Sequence, residues 1–311
     1  MRVRLHAARE IRPLRNPAPS YTPGDSPVNA RKSFSFGKNW QRYLRDIDGE
    51  RVREAERSLT GFLGLRDLAG RSVVDIGCGS GLFSWAAFRL GASRVVSIDI
   101  DPFSVAACRS LHEKAGSPGN WEVCEGSVLD ECIFAMGEFD IVYSWGVLHH
   151  TGAMWRALAH AARLVTEGGF LYIAIYNRVD GIGGSRFWLR VKKAYNVAPS
   201  AGKYAMELLY MALFCASRFL TLRNPLKEIG GYRAHRGMSW RTDISDWLGG
   251  YPYECATVEE VFAFIRRDFH GIRLENIKTT NGLGNNWFLF RREPRQCRVA
   301  GGEGSAGARW T

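Results

Sequence analysis

The chain has 311 residues, 46% of them hydrophobic and 23% charged, with a formal net charge of +11. That composition excludes a disordered or fibrous chain and suffices for one large domain or a domain with an insert. Its seven cysteines include no Cys-x-x-Cys pair, which argues against a zinc ribbon or a disulfide framework and for a reducing, cytoplasmic setting.

The basic excess gathers at the ends. Arg2, Arg4, Arg9, Arg12 and Arg15 share the first 32 residues with Pro13, Pro17, Pro19, Pro23 and Pro27, so a disordered basic tail is expected over 1–32. The prolines spoil an amphipathic transit helix, and no apolar stretch resembles a secretion signal. Residues 294–311, with the run Gly-Gly-Glu-Gly-Ser-Ala-Gly, read as a second disordered tail.

Between the tails, an N-terminal helical extension is expected over 33–69. It begins with the aromatics Phe34, Phe36 and Trp40 and holds a helix over 47–63, where Val52, Ala55, Leu59 and Phe62 recur at helical spacing. Strands and helices then alternate. A strand at 72–76 lacks polar alternation, as buried parallel strands do. A helix over 82–90 stops at Gly91, and a second strand occupies 94–99. Asp101-Pro102 caps a helix reaching Lys114, because the carboxylate accepts orphan amides and proline suits the first turn. Strands at 121–124 and 139–144 follow, then a helix over 152–165 ended by Glu167-Gly168-Gly169, then a strand over 170–176. This alternation predicts an α/β fold with a doubly wound parallel sheet.

The alternation breaks over 178–250, which holds glycine-rich loops, aromatic-rich helices and clustered Arg and Lys. A helical lid that binds the acceptor is expected there. Its segment 204–222 is mostly apolar but interrupted by Glu207 and Arg218, too short to span a bilayer. An amphipathic helix covering a pocket is the expectation, and a helix lying on a membrane surface the alternative. Over 251–293 the core resumes. Thr257 and Glu260 form a capping box that opens a helix to Arg267, and strands at 272–278 and 287–291 close the chain.

One stretch carries the chemistry: Ser72-Val73-Val74-Asp75-Ile76-Gly77-Cys78-Gly79-Ser80-Gly81. A strand ends in an acid, and glycines follow at alternate positions before a helix, a turn that lets a ligand touch bare backbone. The dinucleotide fingerprint is excluded because Leu82 stands where its third glycine would be. The run resembles motif I of the class I S-adenosyl-L-methionine methyltransferases. That resemblance implies a Rossmann-like, seven-stranded, mostly parallel sheet with an antiparallel last strand. It covers roughly 70–177 as the cofactor-binding core and 257–292 more loosely.

Carried over loop by loop, the resemblance implies a cofactor site at the carboxyl ends of the strands. Gly77, Cys78, Gly79 and Gly81 would wrap the amino-acid half of the cofactor. Asp75 would act on the methionine amino group through water, or alternatively cap the glycine turn. Asp99 would accept both ribose hydroxyls, since a carboxylate offers two acceptor oxygens, and Ile100 would pack on the adenine. Ser127 stands where many relatives carry an acid, and with the Val128 amide it would bind the adenine edge. Ser144 and Trp145 follow the fourth strand, with Trp145 near the sulfonium. No N/D-P-P-Y/F motif follows that strand, which counts against methylation of adenine or glutamine nitrogen.

Methyl transfer is an in-line displacement that needs alignment and, for a high-pKa oxygen, a general base. His149, His150 and Tyr176 are candidates at the ends of the fourth and fifth strands, with Asn177 facing the same cleft. Residues 237–254 resemble the G-M-S-x-x-x-D-x-x-D-W-x-G-G-Y-P-Y/F-E segment of a bacterial methyltransferase group named by analogy with quinone-biosynthesis methylases. There Asp243 and Asp246 are further base candidates, and Trp247, Tyr251, Tyr253 and Glu254 are candidate acceptor contacts. The alternative is a structural turn that docks the lid. No metal site is expected. The function read from these residues is methyl transfer from S-adenosyl-L-methionine to oxygen or nitrogen of a small molecule, releasing S-adenosyl-L-homocysteine. An RNA acceptor reached through the basic surface, or an inactive cofactor-binding partner protein, is the alternative.

Overall fold

The computed structural model describes residues 49–221 and 240–294, together with Gly37, Ile47, Asn224, Pro225 and 228–230. The expected tail at 1–32, nearly all of that at 294–311, and Gly237 to Ser239 of the C-terminal motif lie outside the described residues.

Among the described residues, seven strands form one sheet in the order β3-β2-β1-β4-β5-β7-β6. They are β1 (Ser72–Ile76), β2 (Arg94–Asp99), β3 (Trp121–Glu125), β4 (Phe139–Trp145), β5 (Val165–Tyr176), β6 (Ile272–Lys278) and β7 (Asn285–Arg292). Strands β1 to β5 pair in parallel, and β7 runs antiparallel to both β5 and β6. The chain steps outward from β1 to β3, then returns to lay β4 against β1. That reversal opens a crevice at the carboxyl ends of β1 and β4.

The helices are α1 (Gly49–Leu63), α2 (Leu82–Arg89), α3 (Pro102–Lys114), α4 (Met154–Arg163), α5 (Ser185–Val197), α6 (Ser200–Leu220), α7 (Trp240–Gly249) and α8 (Val258–Asp268). Strand residues alternate between two apolar cores. Val74, Val96, Val142 and Leu171 face α4 and α8, and Val73, Val95, Ile141 and Tyr172 face α1, α2 and α3. Each fully buried Leu or Ile contributes about 1.5–3 kcal/mol. Both arms of the Thr257–Glu260 capping box form at α8.

Strand β5 differs from expectation. It starts at Val165, which pairs with Phe139, while Ile141 already pairs with Phe170. Glu167-Gly168-Gly169 is therefore a bulge in a strand, not the end of a helix. Gly168 has φ 79, and a Cβ on Gly169 would come within 2.9 Å of the Asp140 carbonyl oxygen.

The insert builds its own small core, with Tyr195, Ile244 and Leu248 packed by Trp188, Met206, Tyr210 and Trp247. None of the 21 residues of helix α6 is buried. No helix among the described residues is long and apolar enough to cross a membrane.

Candidate functional site

At the crevice, the glycine turn is held from several sides. The Gly77 and Cys78 amides both donate to the Ile98 carbonyl, at 2.7 and 3.1 Å. Gly77, Gly79 and Gly81 have φ of 75, 55 and 82, which glycine adopts without strain. A Cβ on Gly77 would lie 2.4 Å from the Val147 methyls, and one on Gly81 would lie 2.5 Å from Cys108 Sγ. Two of the three glycines are thus also required by close packing inside the protein. The Cys78 side chain belongs to the core beside α3. Hydrogen bonding to Cys108 and burial push its thiol well above the usual range.

The Gly79 amide donates to Asp99 Oδ2 at 3.0 Å, and the Asp101 amide donates to Asp99 Oδ1 at 2.9 Å. Burial raises the Asp99 pKa, and these amides oppose the rise. Each carboxylate oxygen has a second lone pair, so the half-buried group retains acceptor capacity. Ile100 beside it is 60% exposed, an apolar side chain standing open at the cleft. Asp101 caps α3 through the Phe103 amide at 2.9 Å and also accepts from the Gly37 amide at 3.0 Å.

Asp75 does not cap the glycine turn; Asp99 does. Asp75 is buried and ends a chain of donors. Trp121 Nε1 donates to Ser97 Oγ at 2.8 Å, Ser97 Oγ to Ser84 Oγ at 2.6 Å, and Ser84 Oγ to Asp75 Oδ2 at 2.6 Å. Burial pushes the Asp75 carboxyl up to about 7.

Several further candidates also have partners within the protein. Ser127 Oγ accepts from the Leu129 amide at 3.1 Å, and the Val128 carbonyl accepts from His160 Nδ1 at 2.8 Å, so both shape the turn after β3. Ser144 Oγ donates to the Ile76 carbonyl at 3.0 Å and ties β4 to β1. Asn177 donates to the Thr280 and Gly282 carbonyls and accepts from Asn286, fixing the loop between β6 and β7. Glu254 accepts from the Met154 amide at 3.0 Å and caps α4, and burial raises its pKa to about 7. Asp243 lies by Tyr210, whose pKa burial raises and the Asp243 charge raises further. Trp145 keeps 37% of its surface exposed at the end of β4, edge-on to Trp287 at 5.6 Å.

What the structure does gather is an aromatic cluster from three distant segments. Tyr176 lies with ring centroids 3.9 Å from His149, 5.4 Å from His150, 5.3 Å from Tyr253 and 6.0 Å from Trp247. Burial holds His149 well below the usual histidine range and His150 at about 4, so both rings are neutral at pH 7. His149 Nδ1 accepts from the Tyr176 amide at 3.2 Å. Its Nε2 therefore carries the hydrogen, and that atom is buried with no partner among the described residues. His150 Nδ1 donates to the Pro252 carbonyl at 2.6 Å, which leaves Nε2 as its basic nitrogen. Tyr251 precedes Pro252 across a cis peptide in this same turn.

Lys192 completes the cluster, and sequence reasoning missed it. Fully buried, its Nζ lies 4.2 Å from the Trp247 ring and 5.0 Å from that of Tyr253, and it donates to the Trp247 carbonyl. Burial lowers its pKa to about 7 against the pull of Asp246. The available signal was spacing: Trp188, Lys192 and Tyr195 fall on one face of α5. Among the described residues no group of three or more His, Cys, Asp or Glu is placed to hold a metal.

Residues 74–173 match a family model described as a methyltransferase domain. The ribosomal protein L11 methyltransferase of Edwardsiella ictaluri is 49% identical over 57 residues, which is 18% of this chain and 20% of that protein. The ubiquinone biosynthesis O-methyltransferase of Rhizobium rhizogenes is 35% identical over 137 residues, which is 44% of this chain and 51% of that protein. The chain spans about half the length, or less, of these curated relatives. Among solved structures, the magnesium protoporphyrin IX methyltransferase of Synechocystis with bound S-adenosyl-L-homocysteine (SAH) superposes with a TM-score of 0.48 at 16% identity, over 82% of this chain and 94% of that one. Residues 74–173 are thus similar to a methyltransferase domain.

Proposed function

We propose that the chain transfers a methyl group from S-adenosyl-L-methionine to an oxygen or nitrogen of a small molecule seated against the Tyr176 cluster. The observation that carries this reading is Asp99. Its two oxygens are fixed by the Gly79 and Asp101 amides at the crevice beside β1, with Ile100 open next to it. A vicinal diol on a flat apolar ring system fits that pair: the carboxylate takes the hydroxyls and Ile100 takes the ring. Trp145 offers an aromatic face to a sulfonium.

When bound, the donor supplies an activated methyl, so the chain's own residues need only align the acceptor and take up its proton. Tyr176, Trp247 and Tyr253 would form the walls. His150, neutral and oriented by Pro252, would accept the proton at Nε2. Lys192 would sit opposite, its charge favouring an acceptor that develops negative charge on oxygen. Helices α5 and α7 would act as the lid that keeps water out.

Isothermal titration of the full chain with S-adenosyl-L-methionine tests the first half. Binding in the micromolar range is expected, weakened at least about tenfold by Asp99→Ala through loss of the ribose contact. Absence of binding to wild type at high micromolar donor would refute the reading. The +11 charge keeps RNA as the second acceptor class. Methylation of bulk tRNA, with affinity that falls steeply with salt, would favour it over a small molecule.

A further inference from the structure

The α6 surface is at odds with a helix bathed in water. At 100° per residue, Tyr204, Leu208, Leu209, Leu213, Phe219 and Leu220 fall on one half of the helix, and they are 46–86% exposed. The positions between them are filled by Ala201, Ala205, Ala212 and Ala216, so this half carries no charge from end to end. The opposite half packs on the insert through Met206 and Tyr210. The helix's single acid, Glu207, accepts from the Tyr195 hydroxyl at 2.6 Å on that inner side. An apolar strip about 30 Å long is far more than scattered surface hydrophobics require.

A cationic stripe lies on helix α5, which packs against α6. Helix α5 contains no acidic residue and exposes Arg186, Arg190 and Lys193 at i, i+4 and i+7, alongside Phe187 and Val197 at 50% and 84% exposure. None of the three cations has an ion-pair partner among the described residues.

We propose that α5 and α6 together dock on an anionic phospholipid surface, with the α6 apolar half sunk to headgroup depth and the α5 cations against the phosphates. The charge pattern selects this occupant. A second copy of the chain docked through the same face would bring like cationic stripes together, whereas an anionic leaflet satisfies both the stripe and the apolar half. The helix is not apolar enough to span a bilayer, so it lies along the surface. The proposal does not depend on methyl transfer.

Co-sedimentation of the full chain with vesicles of phosphatidylcholine alone, and with vesicles doped with phosphatidylglycerol, tests it. Wild type is expected to partition onto the anionic vesicles only, and salt should release it. Arg190→Gln and Lys193→Gln should each weaken partitioning about fivefold, and Leu209→Glu with Leu213→Glu should abolish it. Absence of binding, equal binding to both vesicle types, or binding that survives these variants overturns the proposal. Sedimentation velocity in the absence of lipid covers the rival occupants. A dimer that Leu213→Glu turns into a monomer assigns the face to a second copy. A fall in the melting temperature of the glutamate variants with vesicle binding intact assigns it to the chain's own residues. Either result also overturns the proposal. Donor binding by the same variants, followed by calorimetry, should be unchanged, which separates a failure here from a failure of the methyltransferase reading.

Discussion

Tyr176 and His149 are joined twice: their ring centroids lie 3.9 Å apart, and the Tyr176 amide donates to His149 Nδ1 at 3.2 Å. The end of β5 and the loop after β4 are thereby one unit, and the acceptor wall inherits its position from a buried neutral imidazole. His149→Phe keeps the ring volume and removes the acceptor. It should cost about 1–3 kcal/mol for the orphaned amide, read as a lowered thermal midpoint. An unchanged midpoint would show that the pairing carries no stability.

Asp75 makes stability depend on pH in a direction opposite to an ordinary paired carboxylate. Its folded pKa of about 7 lies above the ordinary aspartate value of 3.8, so the folded state binds the extra proton between these limits. The stability this contributes is present at pH 4 and below and is lost as pH rises through 7. Asp75→Asn should therefore gain on wild type between pH 5 and pH 8, by about 2–3 kcal/mol. Denaturant melts at the two pH values measure the gain, and a constant difference between the proteins would contradict it.

For Lys192 the sign reverses. Its folded pKa of about 7 lies below the ordinary lysine value of 10.5, so the folded state binds fewer protons between them and stability rises with pH across that window. Wild type should melt at a higher temperature at pH 9.5 than at pH 7 relative to Lys192→Met. At pH 7 or below the variant should be as stable as wild type or more so, because the buried ammonium costs desolvation. Its turnover should fall through a loss of acceptor affinity. A variant that melts in parallel with wild type at every pH would place the Lys192 amine in water.

Gly77 answers to Val147 as well as to its own backbone. Gly77→Ala should destabilise by about 1–2 kcal/mol from the left-handed conformation alone, with more from the Val147 methyls at 2.4 Å. Adding Val147→Ala should recover the second part and leave the first. A double-mutant cycle with coupling of about 0.5–3 kcal/mol is expected, and additive effects would mean that the loop after β4 simply moves aside.

The strands at 72–76 and 94–99 were legible because short β-branched runs bounded by turn residues allow little else. So were the α3 and α8 caps, which lie wholly within one turn of sequence. The start of β5 was not, because a glycine in the left-handed region ends a helix and forms a bulge equally well, and only the pairing with Phe139 and Ile141 decides between them. The site was half legible. Asp99 and the glycines announce themselves locally. Glu254 and Asn177 read as free polar groups, and their partners Met154 and Asn286 are 100 and 109 residues away. Lys192 was lost among its charged neighbours, since a run of cations suggests solvent and only helical phase separates the buried one from Lys193.

The donors that run from Trp121 through Ser97 and Ser84 all point toward the Asp75 carboxylate. Neutralising that acid weakens the pull on each hydroxyl in turn, and the indole at the far end should feel the change. Trp121 is in this sense a dye built into the chain. A fluorine atom on its ring should report by its resonance frequency whether the acid behind the glycine turn has taken up its proton.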